Sequence, residues 1–116
     1  MCLSDFPAGD GMDINVAEEI ERITGQLVAK YAPERIILFG SAARGDLHPE
    51  SDADFLIIKR DCPRLGGDRI RELQRLIERN IPVDFLVYRP EEFEERLALG
   101  DPFLKAILRE GKILHG

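Results

Sequence analysis

The chain contains the stretch Gly40-Ser41-Ala42-Ala43-Arg44-Gly45-Asp46-Leu47-His48-Pro49-Glu50-Ser51-Asp52-Ala53-Asp54, and the apolar runs on either side of it decide the fold. Residues 36–39 (Ile-Ile-Leu-Phe) precede it, and residues 55–58 (Phe-Leu-Ile-Ile) follow it. Short apolar runs of this kind, bounded by Gly and by acidic residues, are typical of buried strands. The stretch therefore predicts a Gly-Ser turn at the end of one strand and two carboxylates at the start of the next.

Asp52 and Asp54 are two positions apart, so in an extended chain their side chains point to the same face. Two neighbouring carboxylates repel each other unless protons or a cation neutralise them. Hard oxygen ligands at a fixed spacing suit Mg²⁺ or Mn²⁺, and a Gly-Ser turn offers backbone N–H groups and a hydroxyl to phosphate. The combination predicts phosphoryl or nucleotidyl transfer from a nucleoside triphosphate.

The pattern Gly-Ser, ten residues (42–51), Asp-x-Asp resembles the signature of the DNA polymerase β-type nucleotidyltransferase superfamily. The fuller string, Gly-Ser-x-x-Arg-Gly ending in Ser-Asp-x-Asp, resembles the minimal nucleotidyltransferases. These small bacterial and archaeal proteins are often encoded beside a HEPN-domain partner, as antitoxin and toxin. The resemblance covers the chain from about residue 14 to its end, and its specific part is the segment 40–54.

The resemblance implies an α/β (α+β) protein of the polymerase-β-like nucleotidyltransferase fold, in which helices pack on a small mixed β-sheet. We expect a flexible leader at residues 1–12 and a single minimal nucleotidyltransferase domain at residues 13–116. A chain of 116 residues is long enough for one domain with a modest core.

A third strand is predicted at residues 83–88, where Asp84 stands among apolar residues. A charge in such a run is costly to bury without a partner, and a metal shared with Asp52 and Asp54 would supply one. The superfamily pattern expects a third acid on this strand. The predicted catalytic residues and metal ligands are therefore Asp52, Asp54 and Asp84, which would hold two Mg²⁺ ions, with Mn²⁺ as the alternative. Gly40 and Ser41 are the predicted nucleotide-binding residues.

The remaining elements follow from periodicity and from capping residues. Apolar residues at helical spacing, including Val28, predict a first helix from Asn15, which is its N-cap, to the residues before Pro33. Strands are predicted at 35–39 and 53–59, a helix capped by Asp68 lies between the second and third strands, and helices at 91–99 and 103–109 come before a short edge strand at 112–114.

Charge and cysteine usage exclude several functional classes. The net charge of −6 argues against direct nucleic-acid binding, which rewards clustered Lys and Arg. Cys2 and Cys62 form no CxxC pair and have no zinc-ligand spacing. We find no signal-peptide pattern and no apolar run of about 18 residues, as a membrane span would need. A cytoplasmic protein with no membrane association is expected.

The functional hypothesis is that the protein transfers AMP from ATP to a tyrosine hydroxyl of a HEPN toxin and thereby acts as its antitoxin. The resemblance implies the partner and the acceptor; the spacing of the acids does not identify either. Two alternatives stay open, which are transfer to a small-molecule hydroxyl, as in aminoglycoside nucleotidyltransferases, and a non-catalytic antitoxin that works by binding alone. Because little chain remains for an acceptor site, we expect a homo- or hetero-oligomer.

Two charged features have alternative interpretations. Arg44 could bind a phosphate or pair with a carboxylate such as Asp46. The segment 59–79 has seven basic and four acidic side chains, which predicts a solvated helix face with i,i+3 and i,i+4 pairs; the alternative is a docking surface for an acidic partner.

Overall fold

The computed structural model describes residues 15–45, 53–62 and 66–116. The predicted leader, Asp46, His48 and Asp52 lie outside these ranges. The helices are α1 (Val16–Gln26), α2 (Gly66–Leu76), α3 (Pro90–Ala98) and α4 (Pro102–Glu110), and the strands are β1 (Arg35–Phe39), β2 (Ala53–Ile58), β3 (Val83–Tyr88) and β4 (Lys112–His115). The order of elements along the chain is the predicted one.

The four strands form one mixed sheet in the order β3-β2-β1-β4. β1 pairs antiparallel with β2 and with β4, whereas β2 and β3 run parallel. A parallel pair needs a long crossover connection, which is usually a helix, and α2 lies in the connection between β2 and β3. The predicted α+β architecture with a small mixed sheet is confirmed.

Side chains of a strand alternate between the two faces of the sheet. Both faces are apolar here, and helices cover both of them. Residues such as Leu38, Phe55 and Phe85 form one core cluster with α1 and α2. Ile37, Leu56 and Ile58 form a second cluster with Phe93 of α3 and with α4. The two inner strands are therefore buried on both sides, which explains why their sequences read as continuous apolar runs.

Asn15 caps α1 as predicted, since its side-chain oxygen accepts a hydrogen bond from the Glu18 N–H at 3.1 Å. The last turn, Leu27–Tyr31, is a π-helix that ends at Ala32 in the left-handed conformation (φ 52°). The prediction that Val28 extends the buried stripe was wrong. The wider π-helical turn changes which side chains face the core, and Val28 is 37% exposed.

One prediction for the segment 59–79 was also wrong, and another was right only in part. Arg71 pairs with Asp68 at i,i+3 on an exposed face, as predicted. α2 begins at Gly66, two residues before Asp68, so Asp68 lies in the first turn and is not the N-cap. Arg69 does not lie on a solvated face, because it is only 4% exposed. Its guanidinium donates two hydrogen bonds to the Glu92 carboxylate, at 2.8 and 3.1 Å, and one to the Val87 carbonyl oxygen at 2.9 Å. The pair thus joins α2, β3 and α3.

The Arg69–Glu92 pair makes stability depend on pH. Hydrogen bonds from Arg69 and from the Arg89 N–H lower the pKa of Glu92 from 4.5 to about 2. The stabilisation is therefore present above pH 4.5 and is lost as the pH falls through about 2. Because Glu92 is partly exposed, we expect Glu92→Gln to lower the unfolding free energy by only about 1–2 kcal/mol at neutral pH. Urea unfolding at a series of pH values measures this.

The matched control is Glu91→Gln, an exposed neighbour in the same helical turn. It should change the unfolding free energy by a few tenths of a kcal/mol. The difference between wild type and Glu92→Gln should vanish near pH 2. A constant difference from pH 7 to pH 2 would exclude this pair as the cause.

Among the residues that the structure describes, no helix has both the length and the apolar character that crossing a membrane requires.

Candidate active site

Asp84, Asp54 and Phe39 form a row across three adjacent strands. Asp54 of β2 is the register partner of Asp84 in the parallel strand β3 and of Phe39 in the antiparallel strand β1. Neighbouring strands lie about 4.8 Å apart, and register partners point to the same face. The two carboxylates are therefore side by side on the face that α3 and α4 cover.

The Gly-Ser turn directly follows this row in the chain. Gly40 has φ +77°, a left-handed conformation that side chains disfavour. A Cβ atom added to Gly40 would overlap Oδ2 of Asp54. The glycine therefore serves two needs, since it allows the chain to turn and it lets the backbone lie against the Asp54 carboxylate.

Ser41 begins a short 3₁₀ turn, Ala42–Arg44, and its side chain makes no capping hydrogen bond to that turn. Its carbonyl oxygen accepts from the Arg44 N–H at 3.0 Å. The side chains of Ala42 and Ala43 are buried in the core cluster beneath α1. These two small residues fix the turn to the core, and Ser41 lies at the open end of β1.

Arg44 lies 3.9 Å from Glu110 at the end of α4, and both side chains are at least half exposed. Exposed pairs at this distance contribute little energy. Arg44 was predicted either to bind a phosphate or to pair with a carboxylate such as Asp46. The contact with Glu110 supports pairing with a carboxylate, although a different one. Asp46 lies outside the described residues.

The row of acids becomes more open toward the edge of the sheet. Asp54 is half-buried on the inner strand β2, whereas Asp84 is exposed on the edge strand β3. Asp84 is therefore accessible at the edge of the sheet, while the backbone of Gly40 lies against the Asp54 carboxylate on the side of β1. The site has two distinct sides, one beside the turn and one at the open edge.

The residues present fit a divalent cation. Two carboxylates in register supply hard oxygen ligands, and the absence of a side chain at Gly40 lets Asp54 Oδ2 lie close to the Gly-Ser turn. Within the described ranges, no group of three or more His, Cys, Asp or Glu side chains is placed to hold a metal. Asp52, the third predicted ligand, lies outside those ranges. The structure thus brings together two of the three predicted ligands, Asp54 and Asp84.

Sequence reasoning missed the residues that hold the segment before β3. Glu19 of α1 is only 7% exposed, and its Oε1 accepts from the Asn80 N–H at 2.8 Å. A signal was present in the sequence, because Glu19 stands three residues after Val16 and four before Ile23, on the apolar stripe of α1. A carboxylate on a buried stripe requires a partner, but the pattern does not identify that partner.

Comparison with known proteins shows which family the chain resembles. The sequence model of the nucleotidyltransferase domain family matches residues 18–115. The chain is 30% identical over 106 residues to "Putative protein adenylyltransferase MJ0604" of Methanocaldococcus jannaschii, with 88% of this chain and all of that protein covered. It is 47% identical over 45 residues to "Putative protein adenylyltransferase MJ0141" of the same organism, with 39% of this chain and 40% of that protein covered.

One solved structure also resembles the fold. It is a crystal structure of a "putative nucleotidyltransferase" from Sulfolobus solfataricus, which is 27% identical in sequence and superposes with a TM-score of 0.54. The similarity covers 69% of this chain and 72% of that one.

Proposed function

Because the chain belongs to the nucleotidyltransferase domain family, as one of its minimal nucleotidyltransferases, we propose that it transfers AMP from ATP to a hydroxyl group of a partner protein. The observation that carries this proposal is the register of Asp54 with Asp84, beside the turn at Gly40. The names of the two Methanocaldococcus relatives describe protein adenylyltransferases, which favours AMP as the group transferred and a protein as its acceptor.

The two sides of the site would hold the two substrates. The triphosphate would bind beside Gly40 and Ser41, where backbone N–H groups and a hydroxyl are available to phosphate oxygens. The acceptor would enter at the exposed edge of β3, next to Asp84. This arrangement would put the acceptor oxygen and the leaving pyrophosphate on opposite sides of the α-phosphorus, as an in-line displacement requires.

Asp54 and Asp84, with Asp52 as the expected third ligand, would hold Mg²⁺, with Mn²⁺ as the alternative. The bound ions would neutralise charge on the triphosphate and on the leaving pyrophosphate. Asp84 would accept the proton of the acceptor hydroxyl, whose oxygen then forms a bond to the α-phosphorus. The bond between that phosphorus and the oxygen bridging to the β-phosphate breaks, and pyrophosphate leaves with its electron pair.

The proposed acceptor is a tyrosine of a HEPN-domain toxin, so that the chain acts as an antitoxin. The described helices pack on one small sheet, and Asp84 lies exposed on its edge strand β3. A second protein could therefore supply the missing wall of the acceptor site.

The test is to incubate the purified chain with ATP, Mg²⁺ and the protein encoded beside it, and then to weigh both proteins by intact mass spectrometry. We expect the neighbour to gain the mass of one or more AMP units, located on tyrosine by fragmentation. The reaction should stop when EDTA removes the metal.

The other outcomes support different functions. A stable complex with no gain in mass would support an antitoxin that works by binding alone. A gain on an added aminoglycoside, with none on the neighbouring protein, would support a small-molecule nucleotidyltransferase. Addition of GTP, CTP or UTP in place of ATP tests the base preference in the same assay.

A further inference from the structure

Side chains of α1 bind the backbone of the segment that leads into β3, residues 77–82. Gln26 makes two hydrogen bonds with Glu78, since its Nε2 donates to the carbonyl oxygen at 2.7 Å and its Oε1 accepts from the N–H at 2.8 Å. Glu19 accepts from the Asn80 N–H at 2.8 Å. We call Glu19 and Gln26 the α1 clamp.

The Glu19 carboxylate is itself held in place. Arg22 donates to both of its oxygens, at 2.8 and 3.3 Å, and also to the Glu78 carbonyl oxygen at 3.2 Å. Hydrogen bonds from Arg22 and from Asn80 lower the pKa of Glu19, although burial opposes them as the largest single effect. The Glu19 carboxylate is therefore buried and charged, and hydrogen bonds from Arg22 and from the Asn80 N–H hold it in place.

The clamped segment continues directly into the candidate site. Four residues after Asn80 stands Asp84, and the intervening Pro82 carbonyl oxygen accepts from the Ala53 N–H at 3.0 Å. Ala53 immediately precedes Asp54. The segment thus contacts β2 next to Asp54 and leads directly into the strand that contains Asp84.

We propose that Glu19 and Gln26 are positioning residues, which set the placement of Asp84 relative to Asp54 through the backbone of residues 78–82. The inference rests on the proposed function, because the placement of Asp84 relative to Asp54 affects catalysis only if the protein transfers AMP. Asp84 needs such support because it lies on β3, which, in the part of the chain that the structure describes, has a neighbouring strand on one side only. Side chains that orient metal ligands through hydrogen bonds change the metal affinity or the activity by about 10–100-fold when they are removed.

The test measures Mn²⁺ binding directly, by the electron paramagnetic resonance signal of the free ion, and measures AMP transfer separately. We expect Glu19→Ala to weaken Mn²⁺ binding on the order of tenfold. It should lower kcat by a similar factor, with a smaller change in KM for ATP, because the Gly40–Ser41 side is unaffected. Glu19→Gln keeps an oxygen that can accept from Asn80, and it should recover most of the affinity.

The matched controls are Glu21→Ala and Glu21→Gln, which make the same changes at an exposed position of the same helix. Both should bind Mn²⁺ as wild type does. Gln26→Ala provides a second variant of the clamp if Glu19→Ala does not fold, and it should weaken Mn²⁺ binding in the same direction.

Two results would overturn the proposal. One is a clamp variant that melts at a lower temperature but binds Mn²⁺ with unchanged affinity, because its role would then be structural only. The other is a wild-type protein that binds no Mn²⁺. By contrast, a wild type that transfers no AMP, while its Mn²⁺ affinity still falls in Glu19→Ala, would refute the proposed function and leave the clamp supported.

Discussion

Asp54→Asn is expected to reduce AMP transfer by about a thousandfold, the scale of losing one group that stabilises charge in the transition state. Asp54 lies between the Gly40 turn and Asp84, so in the proposed site its carboxylate would hold Mg²⁺ close to both substrates. The amide keeps the shape of the side chain but removes its charge and weakens its affinity for Mg²⁺. Intact mass spectrometry over a time course measures the initial rate.

Asp54→Asn should also lose the stabilisation that the metal gives. A ligand that binds only the folded state raises the melting temperature, so Mg²⁺ should raise that of wild type and leave that of the variant unchanged. The control is Asp61→Asn, the same change at an exposed position after β2, which should keep both the activity and the response to Mg²⁺. Full transfer by Asp54→Asn would refute the site.

Gly40→Ala is expected to lower AMP transfer about a hundredfold, because displacement of a catalytic group by about 1 Å has an effect of that size. The new methyl group would overlap Asp54 Oδ2, so the carboxylate or the turn must move. The left-handed backbone adds about 1–3 kcal/mol of strain. Transfer rates and urea unfolding of the same preparations measure the two effects.

Gly100→Ala separates strain from displacement. Gly100 has φ +83°, close to that of Gly40, but the nearest atom to an added Cβ is the Lys105 Nζ at 4.0 Å. Both variants should lose the stability that left-handed backbone strain costs, and Gly40→Ala should lose more because of its overlap with Asp54. Gly100→Ala should keep most of its activity. Equal losses of activity in both would show that general destabilisation, and not the contact with Asp54, explains the effect of Gly40→Ala.

Local patterns in the sequence predicted the elements of the fold. The apolar runs at 36–39 and 55–58 indicated the strands at 35–39 and 53–59, the first of them central, and both strands lie in the centre of the sheet. Asn15 indicated the start of α1, because a cap acts on N–H groups only a few residues away. The prediction for Val28 was wrong because the π-helical turn changes which side chains face the core. The prediction for Asp68 was wrong because α2 begins earlier, at Gly66.

The candidate site was predictable only in part. The Gly-Ser turn and the two acids of the Asp-x-Asp motif are close in sequence, so their spacing indicated the chemistry. A charge in an apolar strand, together with the third acid that the superfamily resemblance implies, predicted a role for Asp84, and the register of β2 with β3 brings Asp84 beside Asp54. A shift of one residue in this parallel pairing would have turned Asp84 to the opposite face.

By itself, the sequence determined the strands, the turn and the chemical character of the acids, because these depend on contacts within a few residues. Only the tertiary structure decided which strands are neighbours, that Arg69 is buried against Glu92, and that Glu19 binds the backbone at Asn80. Those partners are 23 and 61 residues apart. A carboxylate that accepts from a distant backbone N–H leaves no pattern at the donor, since every residue except proline has that group.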